Sequence, residues 1–204
     1  MKLYSSIGPS PRIARICAAE KRVALQVEEI DILADDPRLT DFRQVNPFGS
    51  TPALVLDDGQ VITESLTIGE YLDEVGEGPS LVGTTAHERA SARMWSRRVD
   101  FGFVMPIILG FRATAGRAMF APRLRVAPES AGAELTAMGF DFLDQIEVEC
   151  AAGDYLAGER FTLGDITLFC FVDFCEAIGL KPRNGRAWLA AWFDRVSARP
   201  STLA

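Results

Sequence analysis

Between Ala53 and Thr63 the chain reads ALVL, DDGQ, then VIT: two short apolar runs joined by four turn-type residues. A connection that short closes only an antiparallel hairpin, because parallel neighbours need a crossover of a dozen or more residues. Upstream the pattern differs. The strand-like KLYSS is followed by PRIARICAAEKR, a helical pattern with apolar Ile13, Ile16 and Cys17, and then by a second strand-like run, LQVEEIDI. A short helical piece, RLTDFRQV, leads into ALVL, and a helix from Ser65 to Glu74 follows VIT. The order strand, helix, strand, helix, strand, strand, helix specifies a small mixed sheet covered by helices. Beyond GEGPSLVGTT the chain is helical almost throughout. The expected organisation is an α/β domain over residues 1–78 and an all-α domain over residues 86–204.

The 204 residues, 48% hydrophobic and 24% charged, are enough to bury a substantial core. A net charge of −7 argues against a nucleic-acid partner, which demands clustered Lys and Arg, and leaves a small ligand as the default. No long uncharged apolar run predicts a membrane span, and MKLYSS lacks the features of a secretory signal, so the expected location is the cytoplasm. Cys17, Cys150, Cys170 and Cys175 contain no CxxC spacing and read as buried free thiols. The single histidine, His87, cannot build a zinc site or a His-based triad, so no metal is expected.

The stretch NPFGSTPAL bridges the second helix and the hairpin. Asn46, Pro47 and Gly49 are turn residues, and Pro52 stands at the start of a strand, where its missing N–H matters least. A trans Pro52 makes an ordinary loop. A cis Pro52 leaves the N–H and C=O of Thr51 free to pair with a ligand arriving as an extra strand. Near the N-terminus, Ser10 precedes Pro11, the pattern of an N-cap followed by proline at the first helical position. Glu64 and Ser65 open the third helix, where an acid and an N-cap are equally ordinary.

The runs LYSSIGPSPRIARICAAEK, NPFGSTPALVLDDG and ITESLTIGEYLDE together resemble the N-terminal, thioredoxin-like domain of cytosolic glutathione transferases, and GERFTLGDITLFCFVDF resembles a capping segment of their helical domain. The resemblance covers nearly the whole chain. It implies the two-domain fold of that family, glutathione as co-substrate, a homodimer, and a detoxification-type reaction. By that resemblance the glutathione thiolate would attack a small electrophile or support peroxide or disulfide reduction. It implies Ser10 as the catalytic hydroxyl, with Tyr4, Ser5 and Ser6 as the alternatives. Glu64 and Ser65 would hold the γ-glutamyl end: the Ser65 hydroxyl and N–H at a helix N-terminus face the carboxylate, and Glu64 accepts from the ammonium. Thr51, ahead of a cis Pro52, would pair its backbone with the cysteinyl unit. Ser50 would lie near the glycine end, with Arg38 or Arg43 as the alternatives for that contact.

In the second domain a long helix from Ala86 carries Trp95, Phe101, Phe103, Met105 and Phe111, with a kink expected at Pro106. Most of this stripe is core; Phe103 and Phe111 are the candidates for the wall of the electrophile's pocket. Thr162 and Asp165 form a capping box, with Phe161 and Ile166 as its hydrophobic staple, and read as structural. A final helix is expected from Arg186 to Ala198. The other function classes are a non-catalytic protein of the same fold that binds glutathione or an apolar ligand, and an interaction protein without glutathione.

Overall fold

The computed structural model describes residues 1–31 and 37–204, which form two compact units: Met1–Arg89 with Ser197–Ala204, and Ala90–Val196. In the first, β1 (Lys2–Ser5), α1 (Pro9–Glu20), β2 (Gln26–Glu29), α2 (Pro37–Val45), β3 (Ala53–Val55), β4 (Val61–Thr63) and α3 (Ser65–Val75) follow in order. The strands lie as β2-β1-β3-β4, with β1 parallel to β2 and antiparallel to β3, and β3 antiparallel to β4. This is the mixed sheet that the element order specifies. Its hairpin closes through the Leu56 N–H on the Gln60 carbonyl, while Gly59 takes a φ of 86° and the Asp58 carboxylate accepts the Gln60 N–H. The edge strand β2 is shorter than the sequence pattern suggests, and the predicted run's last residue, Ile32, lies outside the described residues.

Successive side chains of β1 point to opposite faces. Tyr4 packs its ring on Phe42 of α2, centroids 5.2 Å apart, within a cluster of Ile30, Ala53, Leu39 and Val45. Helices α1 and α3 pack together and bury Ile13, Ile16, Ile68 and Leu72, each worth about 1.5–3 kcal/mol on burial. At the end of α1 the Lys21 ammonium meets the Asp73 carboxylate at 3.0 Å, both side chains almost wholly buried. Lys21 also donates to the Gly78 and Pro79 carbonyls, and Asp73 accepts from the Ser80 hydroxyl and the Leu81 N–H.

The last eight residues differ from the sequence reading, which assigned everything after residue 86 to the helical domain. They return to the first unit. Arg199 grips Glu20 with two bonds of 2.8 and 2.7 Å, the Ser201 hydroxyl donates to the same carboxylate, and Arg12 donates to the Thr202 carbonyl.

The second unit contains α4 (Ala86–Val99) from Ala90 onward, α5 (Met105–Ala113), a short α6 (Arg117–Phe120), α7 (Gly132–Glu149), α8 (Leu163–Ala177) and most of α9 (Ala187–Ser197). The expected kink at Pro106 takes the form of a π-helical turn, Asp100–Val104, just ahead of it, with the Met105 N–H reaching the Asp100 carbonyl. Proline clashes with the carbonyl four residues back, and a widened turn relieves that clash. α5 and α7 pack closely because a methyl at Gly132 would stand 2.1 Å from Thr114 Cγ2.

Every residue of α8 from Leu163 to Val172 is buried, so this helix is the axis of the unit. The capping box at its start is present, the Thr162 N–H and hydroxyl each lying 2.8 Å from one oxygen of Asp165. The other Asp165 oxygen accepts the Leu156 N–H and the Trp192 indole N–H, both at 3.0 Å. Burial pushes this carboxyl up, against the four donors that converge on it.

Candidate functional site

Tyr4, Ala53 and Thr63 stand side by side across β1, β3 and β4. β1 runs into that row, β3 starts from it and β4 ends in it. The segments just beyond, Ser6–Ser10, Ser50–Pro52 and Glu64–Ser65, therefore leave the sheet at one end. Two hydrogen bonds join them. The Ser6 and Thr51 hydroxyls are 2.5 Å apart, and the Ser65 hydroxyl donates to the Ser10 carbonyl at 3.0 Å.

At the first segment the sequence reading needs correction. α1 begins at Pro9, not after Ser10, and its N-cap is Gly8, with φ 139° and ψ 168°, a conformation few L side chains adopt. Ser10 is the second residue of the first turn. A helix leaves its first four N–H groups without helical partners, and here two of those residues, Pro9 and Pro11, have no N–H at all. The free donors at this end of α1 are the backbones of Gly8 and Ser10 and the half-buried Ser10 hydroxyl, which has no partner among the described residues. The alternatives are engaged elsewhere. Ser5 is wholly buried and accepts from Arg15 at 2.6 Å, Ser6 is paired with Thr51, and the Tyr4 hydroxyl accepts from Lys2 while its ring fills the α2 cluster.

In the second segment the Thr51–Pro52 peptide is cis. The loop before it is shaped by Asn46, which the sequence shows only as a turn residue. It is 1% exposed, its amide donates to the Ser50 carbonyl at 2.7 Å, and its side-chain oxygen accepts the Phe48 N–H. The N–H and C=O of Thr51 have no partner among the described residues. Ser50 is exposed, and so are Arg38 and Arg43. Arg43 lies beside the loop, its Nε 3.3 Å from where a methyl on Gly49 would be.

The third segment carries backbone strain. Glu64, exposed at the N-cap of α3, has φ 69° and ψ 124°. Such a conformation costs a non-glycine residue about 1–3 kcal/mol and clusters at ligand-binding positions. The first helical bond is from the Ile68 N–H to the Glu64 carbonyl, so the N–H groups of Ser65, Leu66 and Thr67 point out of the helix end without helical acceptors.

In the second unit the two aromatic candidates part. Phe103 has no exposed surface and lies against Gly139 of α7, so its ring is core. Phe111 is half-buried and meets Phe174 edge-on at 5.1 Å and Phe120 edge-on at 6.2 Å. Among the described residues no cluster of three His, Cys, Asp or Glu side chains is placed to hold a metal ion, and no helix is long and apolar enough to cross a membrane.

Residues 8–75 match the glutathione S-transferase N-terminal domain and residues 129–195 the corresponding C-terminal domain. Glutathione S-transferase 3 of Zea mays is 30% identical over 213 aligned positions, covering 98% of this chain and 90% of that protein. The crystal structure of a glutathione S-transferase domain-containing protein from Marinobacter aquaeolei is 33% identical with a TM-score of 0.91, covering 99% of this chain and all of that one. Gtt2 from Saccharomyces cerevisiae is 27% identical with a TM-score of 0.89, covering all of this chain and 99% of that one. With both domains matched in order and the likeness running nearly end to end, the chain belongs to the glutathione S-transferase family.

Proposed function

We propose that the protein binds glutathione at the end of the sheet where the three segments meet, and holds its sulfur as a thiolate beside the Ser10 hydroxyl for attack on a small electrophile. The observation that carries this reading is the convergence itself. A Ser10 hydroxyl and a Thr51 backbone unpaired among the described residues, and an open helix end at Ser65, are linked by the two hydrogen bonds between Ser6 and Thr51 and between Ser65 and Ser10.

Each part suits one group of the tripeptide. The γ-glutamyl carboxylate meets the N–H groups at the start of α3, and its ammonium meets Glu64; the Ser65 hydroxyl, expected from the sequence to face the carboxylate, instead donates to the Ser10 carbonyl and ties the two segments together. The cysteinyl unit pairs with the Thr51 backbone ahead of Pro52, as an added strand would. The glycine carboxylate lies toward Ser50, with Arg43 beside the loop to supply positive charge. The thiol proton leaves to solvent, the sulfur forms a bond to the electrophilic carbon, and the leaving group departs with its electron pair. A serine at this position forms no mixed disulfide, which favours transfer, or reductions in which the disulfide stays on glutathione. Phe111 forms part of the wall for the second substrate.

The four free, buried thiols suit a cytoplasmic protein, and Phe48, 89% exposed, suits a surface covered in a homodimer. Light scattering tests the dimer. The function is tested by retention on immobilised glutathione with elution by free glutathione, followed by turnover of a panel of aryl halides and peroxides. A chain that is not retained is an interaction protein of this fold, and one that is retained without any turnover is a binding protein.

A further inference from the structure

From Phe101 to Pro128 the chain has no acidic residue and four arginines, Arg112, Arg117, Arg123 and Arg125, in a protein whose net charge is −7. Arg112 sits in the last turn of α5, with its guanidinium over the Phe120 ring at 5.0 Å, and Arg123 lies over the same ring at 5.4 Å. Phe120 meets Phe111 edge-on, so one aromatic surface carries two cations.

Two of the neighbouring arginines have backbone acceptors. Arg117 donates to the Ala127 carbonyl and Arg123 to that of Met119. Arg112 donates to nothing among the described residues, and its Nε is the one buried side-chain polar atom there without a hydrogen-bond partner. Burial, and then the repulsion of Arg123, hold its guanidinium below the ordinary value.

A structural role would give Arg112 one of two ordinary partners. The first is the carbonyls at the end of its own helix. Those of Gly110 and Phe111 are already taken by the N–H and hydroxyl of Thr114 and the N–H of Gly116. The second is an aromatic face, and Phe120 supplies one. A π contact uses only the flat side of the guanidinium, however, and leaves its in-plane N–H groups to other acceptors, the buried Nε among them without one in the described chain. What satisfies a planar fork of donors beside an aromatic surface is a planar anion on an aromatic body.

We propose that Arg112, with Phe111 and Phe120, forms the anion-binding part of the second-substrate pocket, and that the electrophile is an aromatic compound carrying a carboxylate or sulfonate. This rests on the transferase reading above. The probes are anilinonaphthalene sulfonate and its uncharged relative phenylnaphthylamine, titrated by fluorescence into the whole chain without glutathione. The sulfonate binds at least about tenfold more tightly than the neutral probe; Arg112→Met removes that preference and leaves the neutral probe within about twofold, and Arg112→Lys restores part of it. The melting temperature of Arg112→Met stays close to that of the parent, because the guanidinium makes no hydrogen bond among the described residues and methionine keeps an apolar contact on the Phe120 ring. With saturating glutathione, the same substitution raises the KM of a chloronitrobenzoate about tenfold and leaves its methyl ester unchanged.

Equal weakening of both probes, or of neither, would overturn the proposal, as would a KM that rises alike for benzoate and ester. Retention of the parent chain on immobilised glutathione reads the transferase assignment separately, so the two failures are distinguishable.

Discussion

Replacing Ser10 by Ala tests the thiolate mechanism and the corrected helix boundary together. Taking a thiol of pKa about 8.5 to mostly thiolate at neutral pH requires a shift of about two units, or about 2.7 kcal/mol. A hydrogen bond to a charged acceptor supplies about 1.5–3 kcal/mol, and a helix N-terminus adds about 0.3–1 kcal/mol. Ser10→Ala removes the first and keeps the second, so the bound thiol's pKa should rise by about one to two units. Near neutral pH, turnover of a generic aryl halide should fall about three- to twenty-five-fold, and the deficit should close above about pH 9 as the thiol ionises unaided. Glutathione affinity should change little, since the proposed site would hold the ligand mainly at its carboxylates. Stability should change little too: Gly8 caps α1 and the Ser10 hydroxyl bonds nothing in the described chain, so the loss of about 1 kcal/mol expected for a true N-cap should be absent. Thiolate absorbance of the complex against pH, turnover at the same pH values and thermal melting make the three readings. An unshifted titration with undiminished turnover would remove Ser10 from the chemistry, and a clear drop in melting temperature would restore it as a cap.

At the strained N-cap, Glu64→Gly should raise stability by about 1 kcal/mol by relieving the positive φ while weakening glutathione binding by calorimetry; a gain in both would sever the strain from the ligand. The Glu64→Ala, Ser65→Ala double variant should weaken binding by about 1–3 kcal/mol for the lost charged hydrogen bond to the ammonium, with the tie from Ser65 to Ser10 removed as well. Burial alone would push the carboxyls of Asp73 and Glu20 up. The Leu81 N–H, Ser80 and Lys21 hold the first below its ordinary value, and Arg199 and Ser201 the second. Both groups therefore stabilise the fold above the ordinary carboxylate pKa and lose that contribution as pH falls below about 4, which urea titrations in acid will read. Lys21→Met alone should cost about 3–5 kcal/mol by leaving Asp73 buried without its cation, whereas Lys21→Met with Asp73→Leu should be close to neutral. The thiols of Cys150 and Cys175 are pushed up to about 12, mainly by burial, and should resist thiol reagents at alkaline pH until the chain is unfolded.

The sheet was legible because its constraints are local. DDGQ forces a hairpin and the helical crossover after KLYSS forces a parallel pair, so only a mixed sheet satisfies both, and β1, β2, β3 and β4 pair accordingly. The capping box of Thr162 and Asp165 was legible for the same reason, its partners standing three residues apart. What the sequence concealed depends on distant partners. Nothing around Asp165 announces Trp192, nothing around Glu20 announces Arg199, and the return of the last eight residues to the first unit follows from that second pair. Phe103 and Phe111 lie eight positions apart in one apolar stripe, and periodicity treats them alike. Only the approach of α7 at Gly139 distinguishes the ring that is enclosed from the ring that is not.

The start of α1 shows how a small misreading changes the chemistry. In GPSP either Gly8 or Ser10 can cap, since each precedes a proline, and the stronger intrinsic preference for serine points to Ser10. The chain uses Gly8, because a backbone with φ 139° is open to glycine and strained for serine. That choice moves Ser10 one step inside the helix and releases its hydroxyl from capping. It also makes Pro9 and Pro11 part of the first turn, where they delete two of the N–H groups that would otherwise face an anion. A helix end with fewer backbone donors stabilises a thiolate less by itself, so a larger share of the stabilisation falls on the one side-chain donor the turn still presents.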